Sequence, residues 1–88
     1  MSVRVHVASI LFEYTGGASE LEARGGTIDQ VLADLDRRHP GLRFRIVDEQ
    51  DVLRPHVKVF VDKRLVRDLS TRIPAGSELH ILQALSGG

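Results

Sequence analysis

The residues best placed to take part in chemistry lie at the carboxyl end of the chain. The sequence ends in Gly87-Gly88, and the side chains before it shrink from Leu82 through Ala84 to Ser86. Glycine has no Cβ, so a terminal Gly-Gly can lie extended in a channel too narrow for other residue pairs. This shape suits a terminal carboxylate that a second protein must reach and modify. Because the chain also contains glycine pairs at 16–17 and 25–26, the significance of the terminal pair depends on the fold upstream.

The other side chains that could take part in chemistry give weaker indications of a functional site. The four histidines invite a metal or acid–base reading, but none is spaced along the chain so as to pair with a carboxylate as a ligand set. We therefore interpret them as surface or strand-face residues and predict no metal site. The acidic run at 48–51 lacks the ligand spacing and glycine of an EF-hand, and is interpreted as a surface turn. With no cysteine, thiol catalysis, disulfides and thiolate metal sites are excluded.

Composition favours one ordinary globular domain. The chain has 88 residues, of which 27% are charged and 42% hydrophobic, enough for a single core. A formal net charge of 0 argues against nucleic acid or an anionic membrane as the main partner. No apolar run is long enough to span a membrane and no signal peptide precedes the first strand, so we expect a cytoplasmic protein.

The first half of the chain predicts two strands. The alternating valines of residues 3–7 indicate a strand with one buried face, which we expect to continue through residues 10–14. Residues 15–19 have the composition of a hairpin turn, and residues 20–23 would form the short return strand.

Residues 27–39 predict a helix. Thr27 is a suitable N-cap, and Gln30, three positions later, completes a capping box. The apolar residues that form a single stripe at helical spacing are Ile28, Val31, Leu32 and Leu35. Pro40-Gly41 would stop the helix.

The second half predicts three more strands, at 57–61, at 65–67 and from Leu79 onward, after an irregular segment at 42–53 whose apolar residues could cover an edge of the core. The side chains expected to face the helix are Val5, Val7, Leu21, Val57, Val59, Leu79 and Ile81. This order predicts a two-layer α+β fold. We expect residues 1–88 to form one domain with a flexible tail at 84–88.

The order of elements, together with the terminal Gly-Gly, resembles the ubiquitin-like β-grasp fold over essentially the whole chain. Within that fold it is most similar to the prokaryotic sulfur carriers of the ThiS/MoaD family. The segments that carry the likeness are Gly26-Thr27-Ile28 with the helix stripe, Val57-Lys58-Val59-Phe60-Val61-Asp62, Pro74-Ala75-Gly76-Ser77-Glu78-Leu79 and Ala84-Leu85-Ser86-Gly87-Gly88. The resemblance implies a mixed sheet of about five strands with the helix on one face. Ala84 and Ser86 stand where ubiquitin has arginines, which favours a carrier over a eukaryotic-type modifier.

The resemblance implies a protein cosubstrate rather than an enzyme. An E1-like adenylyltransferase of the MoeB/ThiF type would use Mg-ATP to convert the Gly88 carboxylate into an acyl adenylate. A sulfur donor would then displace AMP and leave a thiocarboxylate, which splits one difficult step into two easier ones. In this scheme Gly88 supplies the reacting carbon, Gly87 supplies room, and the chain itself binds no cofactor. The sulfur would pass to a sulfur-accepting synthase of molybdopterin, thiamin or cysteine synthesis. The chain could also act as the small non-catalytic subunit of a molybdopterin-synthase-like complex.

Docking to these partners is expected on the exposed face of the sheet. In β-grasp sheets the third and last strands are neighbours, so Phe60 and Leu82 would form an apolar patch flanked by His80 and Lys58. The alternative is that residues 42–53 cover Phe60. The tail residues that complete the predicted partner-binding set are Ala84, Leu85 and Ser86.

Two other classes of function stay open. A ubiquitin-like modifier would be joined through Gly88 to lysines of other proteins. A β-grasp interaction module would never react at its terminus. The chemical state of Gly88 in cells separates these two classes from a sulfur carrier.

Overall fold

The computed structural model describes residues 2–83, which form a mixed five-stranded sheet with helices packed on one face. The strands are β1 (Ser2–Val7), β2 (Glu20–Arg24), β3 (Val57–Val61), β4 (Arg64–Val66) and β5 (Glu78–Gln83). The helices are α1 (Phe12–Thr15), α2 (Ile28–Arg38) and α3 (Leu42–Ile46), with a 3-10 turn at Ser9–Leu11. The strand order is β2-β1-β5-β3-β4, in which β1 and β5 are parallel and all other neighbours are antiparallel.

The predicted helix forms as α2, and its start has the predicted cap. The Thr27 side chain accepts a hydrogen bond from the backbone N–H of Gln30 at 3.2 Å. The Gln30 side chain reaches back and accepts from the backbone N–H of Gly26 at 2.7 Å. The first bond satisfies an N–H group that the first turn would otherwise leave without a partner. The second differs from the predicted capping box, because Gln30 bonds the N–H of Gly26 rather than that of the N-cap Thr27. No helix within residues 2–83 is long and apolar enough to cross a membrane.

The core lies between the sheet and α2, and the predicted inward face is confirmed. Val5, Val59, Leu79 and Ile81 are fully buried, and Leu21 is partly buried against them. All members of the helix stripe are buried to 1% exposure or less. Period-two alternation on the strands and period-3.6 spacing on the helix therefore meet in one continuous cluster.

The connection between β1 and β2 differs from the prediction. β1 ends at Val7, so the expected continuation of the strand through residues 10–14 is wrong, and no simple hairpin turn follows. The chain instead makes a 3-10 turn and the short helix α1, which buries Leu11 and Thr15 on one side. Gly16, at φ 70°, ends α1 in the left-handed conformation that glycine adopts without strain.

The segment after α2 covers an edge of the core, as predicted, but through a helix. Leu42, Ile46 and Val47 are fully buried, whereas Phe44 is 56% exposed. Positions four apart share one face of a helix and the position between them points away, which explains the exposure of Phe44. The acidic run at 48–51 forms the predicted surface turn. One further difference is that β4 begins one residue before its predicted start.

Candidate functional site

β5 lies at the centre of the sheet and carries the chain toward the predicted reactive terminus. It is paired with β1 on one side and β3 on the other, and its last residue, Gln83, pairs with Val57, the first residue of β3. β5 therefore runs alongside β3 as far as the first residue of β3 before the tail begins. The tail residues to which the sequence assigns roles lie outside the described residues, so those roles stay predictions. These residues are Ala84, Leu85, Ser86, Gly87 and Gly88.

The sheet face turned away from α2 carries the predicted docking side chains. Antiparallel pairing of β3 with β5 sets Phe60 opposite His80 and Lys58 opposite Leu82. These positions alternate with the buried residues of the same strands, so all four project from the outer face. Leu82 is 46% exposed, and the other three are half-buried. The structure thus brings together the four side chains that the resemblance implied.

Leu65 belongs to the same surface, although the sequence reasoning missed it. The short turn at 62–63 pairs Val61 with Arg64 and therefore places Leu65 opposite Phe60. Leu65 is 42% exposed. A two-residue turn fixes the register of the strands it joins. The length of this turn could therefore have predicted that Leu65 lies opposite Phe60. Phe60, Leu65 and Leu82 together are called the apolar patch below.

Phe60 stays accessible in this arrangement. It is half-buried and lies outside the core cluster. The segment that could have covered it contributes Leu42, Ile46 and Val47 to the core instead. An accessible aromatic side chain beside exposed leucines is typical of a protein–protein contact.

One cross-strand row runs over the outer face and changes from charged to apolar. From β2 to β4 its members are Glu20, His6, His80, Phe60 and Leu65. Residues directly opposite each other on neighbouring strands have Cβ atoms about 4.5–5.5 Å apart, so each member of the row lies next to the one that follows it. The apolar patch therefore lies beside a group of histidine and glutamate side chains.

His6 contacts two carboxylates, so the inference that no histidine pairs with a carboxylate is wrong. Its Nε2 contacts Oε1 of Glu78, and its Nδ1 lies 3.6 Å from Oε1 of Glu20. The ring of His80 stacks on the ring of His6, with centroids 4.5 Å apart and planes 8° apart. His6 and Glu78 are separated by 72 residues and meet only because β1 and β5 are parallel neighbours. Spacing along the chain could not reveal this group, which is called the His–Glu cluster below.

The start of β5 is held in place by Asp62 in the turn between β3 and β4. Asp62 has φ 55°, its N–H donates to the carbonyl of Glu78 at 2.8 Å, and its carboxylate accepts from the N–H of Glu78 at 3.0 Å. The bond from the Glu78 N–H, followed by one from the Ser77 hydroxyl, lowers the pKa of Asp62. The backbone of Glu78 is thereby fixed beside the site while its side chain contacts His6.

Comparison with known proteins finds relatives along the whole chain. The model of the ThiS family matches residues 5–88. The sulfur carrier protein CysO of Mycobacterium tuberculosis is 33% identical over 93 aligned positions, which cover 100% of both chains.

Solved structures agree with this match. A chain in the crystal structure of the Amycolatopsis orientalis BexX/CysO complex is 35% identical, with a TM-score of 0.90 over 98% of this chain and 99% of that one. The small archaeal modifier protein 1 of Methanosarcina acetivorans is 26% identical, with a TM-score of 0.83 over 99% of this chain and 96% of that one. The predicted β-grasp architecture is confirmed.

Proposed function

The chain belongs to the ThiS family, and from that premise we propose that it is a sulfur carrier protein that presents a C-terminal thiocarboxylate at Gly88. The observation that carries this proposal is the match to CysO sulfur carriers over their full length. The central strand β5 supports it, because it leads from the rigid core directly toward the Gly-Gly terminus. The chain would serve as a protein cosubstrate while the catalytic groups belong to its partners.

The proposed chemistry has two steps on the Gly88 carboxyl group. A carboxylate oxygen attacks the α-phosphorus of ATP, with Mg²⁺ held by the activating partner, to give an acyl adenylate and pyrophosphate. Sulfide (HS⁻) released by a sulfur donor then attacks the carbonyl carbon, AMP leaves with the activated oxygen, and loss of a proton gives the thiocarboxylate. The adenylate is needed because a carboxylate is a poor electrophile. The chain contributes a narrow terminus, since Gly87 and Gly88 leave room for donors of the partner to surround the reacting carbon.

We propose that the activating partner is an E1-like adenylyltransferase that docks on the apolar patch. Phe60 of β3 is paired with Leu65 of β4 and is a diagonal neighbour of Leu82, which lies on β5, the strand that leads to the tail. A buried aromatic anchor with a polar rim is the usual centre of a protein interface, and His80 and Lys58 supply that rim. The CysO relative from Amycolatopsis orientalis was crystallised in complex with BexX, which supports binding of a partner protein by this type of chain.

For the destination of the sulfur, we propose cysteine synthesis rather than molybdopterin or thiamin synthesis. Support comes from the full-length similarity to carriers named CysO. A strain that lacks this chain is then expected to grow slowly without cysteine and to recover when cysteine is added. Recovery with thiamin alone would reassign the acceptor without removing the carrier function.

The carrier function is tested by mass spectrometry of the chain in extracts of its own cells. We expect a population in which one oxygen at Gly88 is replaced by sulfur. Branched Gly-Gly remnants on lysines of other proteins, without any thiocarboxylate, would indicate a protein modifier instead. A terminus that is unmodified throughout, in cells supplied with sulfur as well, would indicate an interaction module and contradict the proposal.

A further inference from the structure

We propose that His6, Glu78 and His80 form a Zn²⁺ site on the outer face of the sheet, beside the apolar patch. Each of the three residues offers one ligand atom, and these atoms lie within 4.8 Å of one another. Among residues 2–83 this is the one group of at least three histidine or carboxylate side chains with such a geometry. The proposal goes beyond carrier function, because nothing in the chemistry at Gly88 uses these side chains.

The ligand set has the chemistry that zinc prefers. Two imidazoles and one carboxylate form a frequent three-residue set for Zn²⁺, which takes nitrogen and oxygen ligands at about 2.0–2.2 Å. Ca²⁺ and Mg²⁺ prefer sites made of oxygen alone. His6, His80 and Glu78 are each partly exposed, so a cation can enter from solvent. The two imidazole rings are stacked, so at least one of them must rotate out of this arrangement to aim its ring nitrogen at the same ion.

The backbone beneath the ligands is rigid. His6 and His80 are paired residues of parallel neighbours, and Glu78 precedes His80 by two positions on the same face. Both strands lie in the interior of the sheet, and Asp62 holds Glu78 from the other side. The three ligands therefore come from a preformed frame, so binding would require little ordering of the backbone.

A second carboxylate is placed where a zinc-binding histidine usually needs one. Such a histidine donates its other ring N–H to a carboxylate, carbonyl or water, which fixes the tautomer and raises ligand basicity. When Nε2 of His6 binds the metal, Nδ1 is the free nitrogen, and it lies 3.6 Å from Oε1 of Glu20. Glu20 is itself held by Arg4, whose Nε lies 3.6 Å from its Oε2. Arg4, which is paired with Glu78 across β1 and β5, therefore has its guanidinium group beside the carboxylate of Glu20.

Three protein ligands leave the fourth position of a tetrahedral Zn²⁺ ion open toward solvent. This position lies on the surface that carries the apolar patch, because His80 is paired with Phe60. Water or a side chain of a docked protein would complete the coordination shell.

The site is tested by titrating the full 88-residue chain with Zn²⁺ in a calorimeter, with Mg²⁺ as the comparison ion. The wild type is expected to bind one Zn²⁺ per chain with a Kd of about 1 μM or below, and to show no comparable heat with Mg²⁺. His6→Ala, His80→Ala and Glu78→Gln should each weaken binding by about tenfold or more. The matched control is His56→Ala, which removes an exposed histidine from a turn outside the cluster and should bind like wild type.

A measurement on the wild-type chain tests the site even if some variants fail to fold. In nitrogen-detected imidazole NMR spectra, Zn²⁺ should shift ring signals of His6 and His80 while those of His39 and His56 stay in place. The proposal is overturned if the wild type shows no saturable Zn²⁺ binding, or if the ions bind at His39 or His56. It is also overturned if folded His6→Ala and His80→Ala chains bind as tightly as wild type. Because this test needs no partner and no reaction at Gly88, its failure would leave the carrier function untouched.

Discussion

On the strands of the site, successive residues alternate between solvent and the core, so neighbours in sequence play different parts. Phe60 and Lys58 project from β3 toward solvent, whereas Val59 between them is fully buried. We expect a partner protein to recognise the carrier through such projecting side chains. Binding energy in protein interfaces is concentrated in a few aromatic and large apolar residues.

Replacing Phe60 by alanine should therefore weaken docking far more than folding. We expect a loss of about 1–3 kcal/mol in the free energy of binding to an E1-like partner. Phe44→Ala is a control, because Phe44 is a solvent-accessible phenylalanine that lies on α3, which packs on the opposite side of the sheet. Calorimetry of binding and thermal melting of both variants provide the measurements. A large loss of stability with unchanged binding would place Phe60 in the core rather than at the interface.

Gly87→Val tests whether the terminus must be thin. The substitution keeps the length of the chain but adds a branched Cβ, which stiffens the backbone and needs space in the partner's channel. We expect normal melting and loss of thiocarboxylate formation by a purified E1-like enzyme with Mg-ATP and a sulfur donor. Gln50→Val, an exposed position in the surface turn, should keep the activity. Full activity of Gly87→Val would mean that no narrow channel encloses the tail.

Alternation within a strand was enough to predict which residues project from the sheet, and so to find Phe60 and Leu82. It could not predict that His6 meets Glu78, because this contact depends on the parallel register of two strands at opposite ends of the chain. The position of Leu65 depends on register as well, but only across a two-residue turn, which places it opposite Phe60. It was therefore harder to predict than Phe60 and easier to predict than the contact of His6 with Glu78.

At the scale of elements, α2 closes the core, and its start is set by local chemistry. Thr27→Ala removes the side chain that accepts from Gln30 N–H and should lower the free energy of unfolding by about 1 kcal/mol. Ser19→Ala, at an exposed position in the loop before β2, should change it much less. Denaturant unfolding of the two variants measures the difference. Equal stabilities would show that the cap does not limit the stability of α2.

The capping residues and the apolar stripe made α2 predictable because helix signals are local. The segment before β2 was not predictable in the same way. Its apolar run at 10–12 suits a strand, but packing of Leu11 and Thr15 on the core favours helical turns, and Gly16 ends them. In such short segments, tertiary contacts determine the secondary structure even where the pattern of apolar residues suggests a different one.

For the whole molecule, stability depends on one core, which the sheet forms with α2 and, at its edges, with α3 and the segment before β2. Val59→Asp would bury a charge without a partner at a fully buried position and should cost about 4 kcal/mol or more. Because small domains are stable by only about 5–15 kcal/mol, we expect the variant to be largely unfolded by circular dichroism. Lys58→Asp, one position away on the outer face, should fold. A Val59→Asp chain that melts like the wild type would contradict the assigned inward face.

The proposed carrier function of the molecule rests on the carboxylate of Gly88, and a chain without Gly88 tests it. Removing Gly88 withdraws the carboxylate by roughly 3.3 Å, and a misplacement of about 1 Å can cost on the order of a hundredfold in rate. Pyrophosphate release and the mass of the C-terminal peptide are measured with a purified E1-like enzyme, Mg-ATP and a sulfur donor. We predict that the wild-type chain is adenylated and gains sulfur at Gly88, while the shortened chain folds equally well and reacts at least about a hundredfold more slowly. Adenylation of the shortened chain at the wild-type rate would show that Gly88 is not the reacting residue and would contradict the sulfur carrier function.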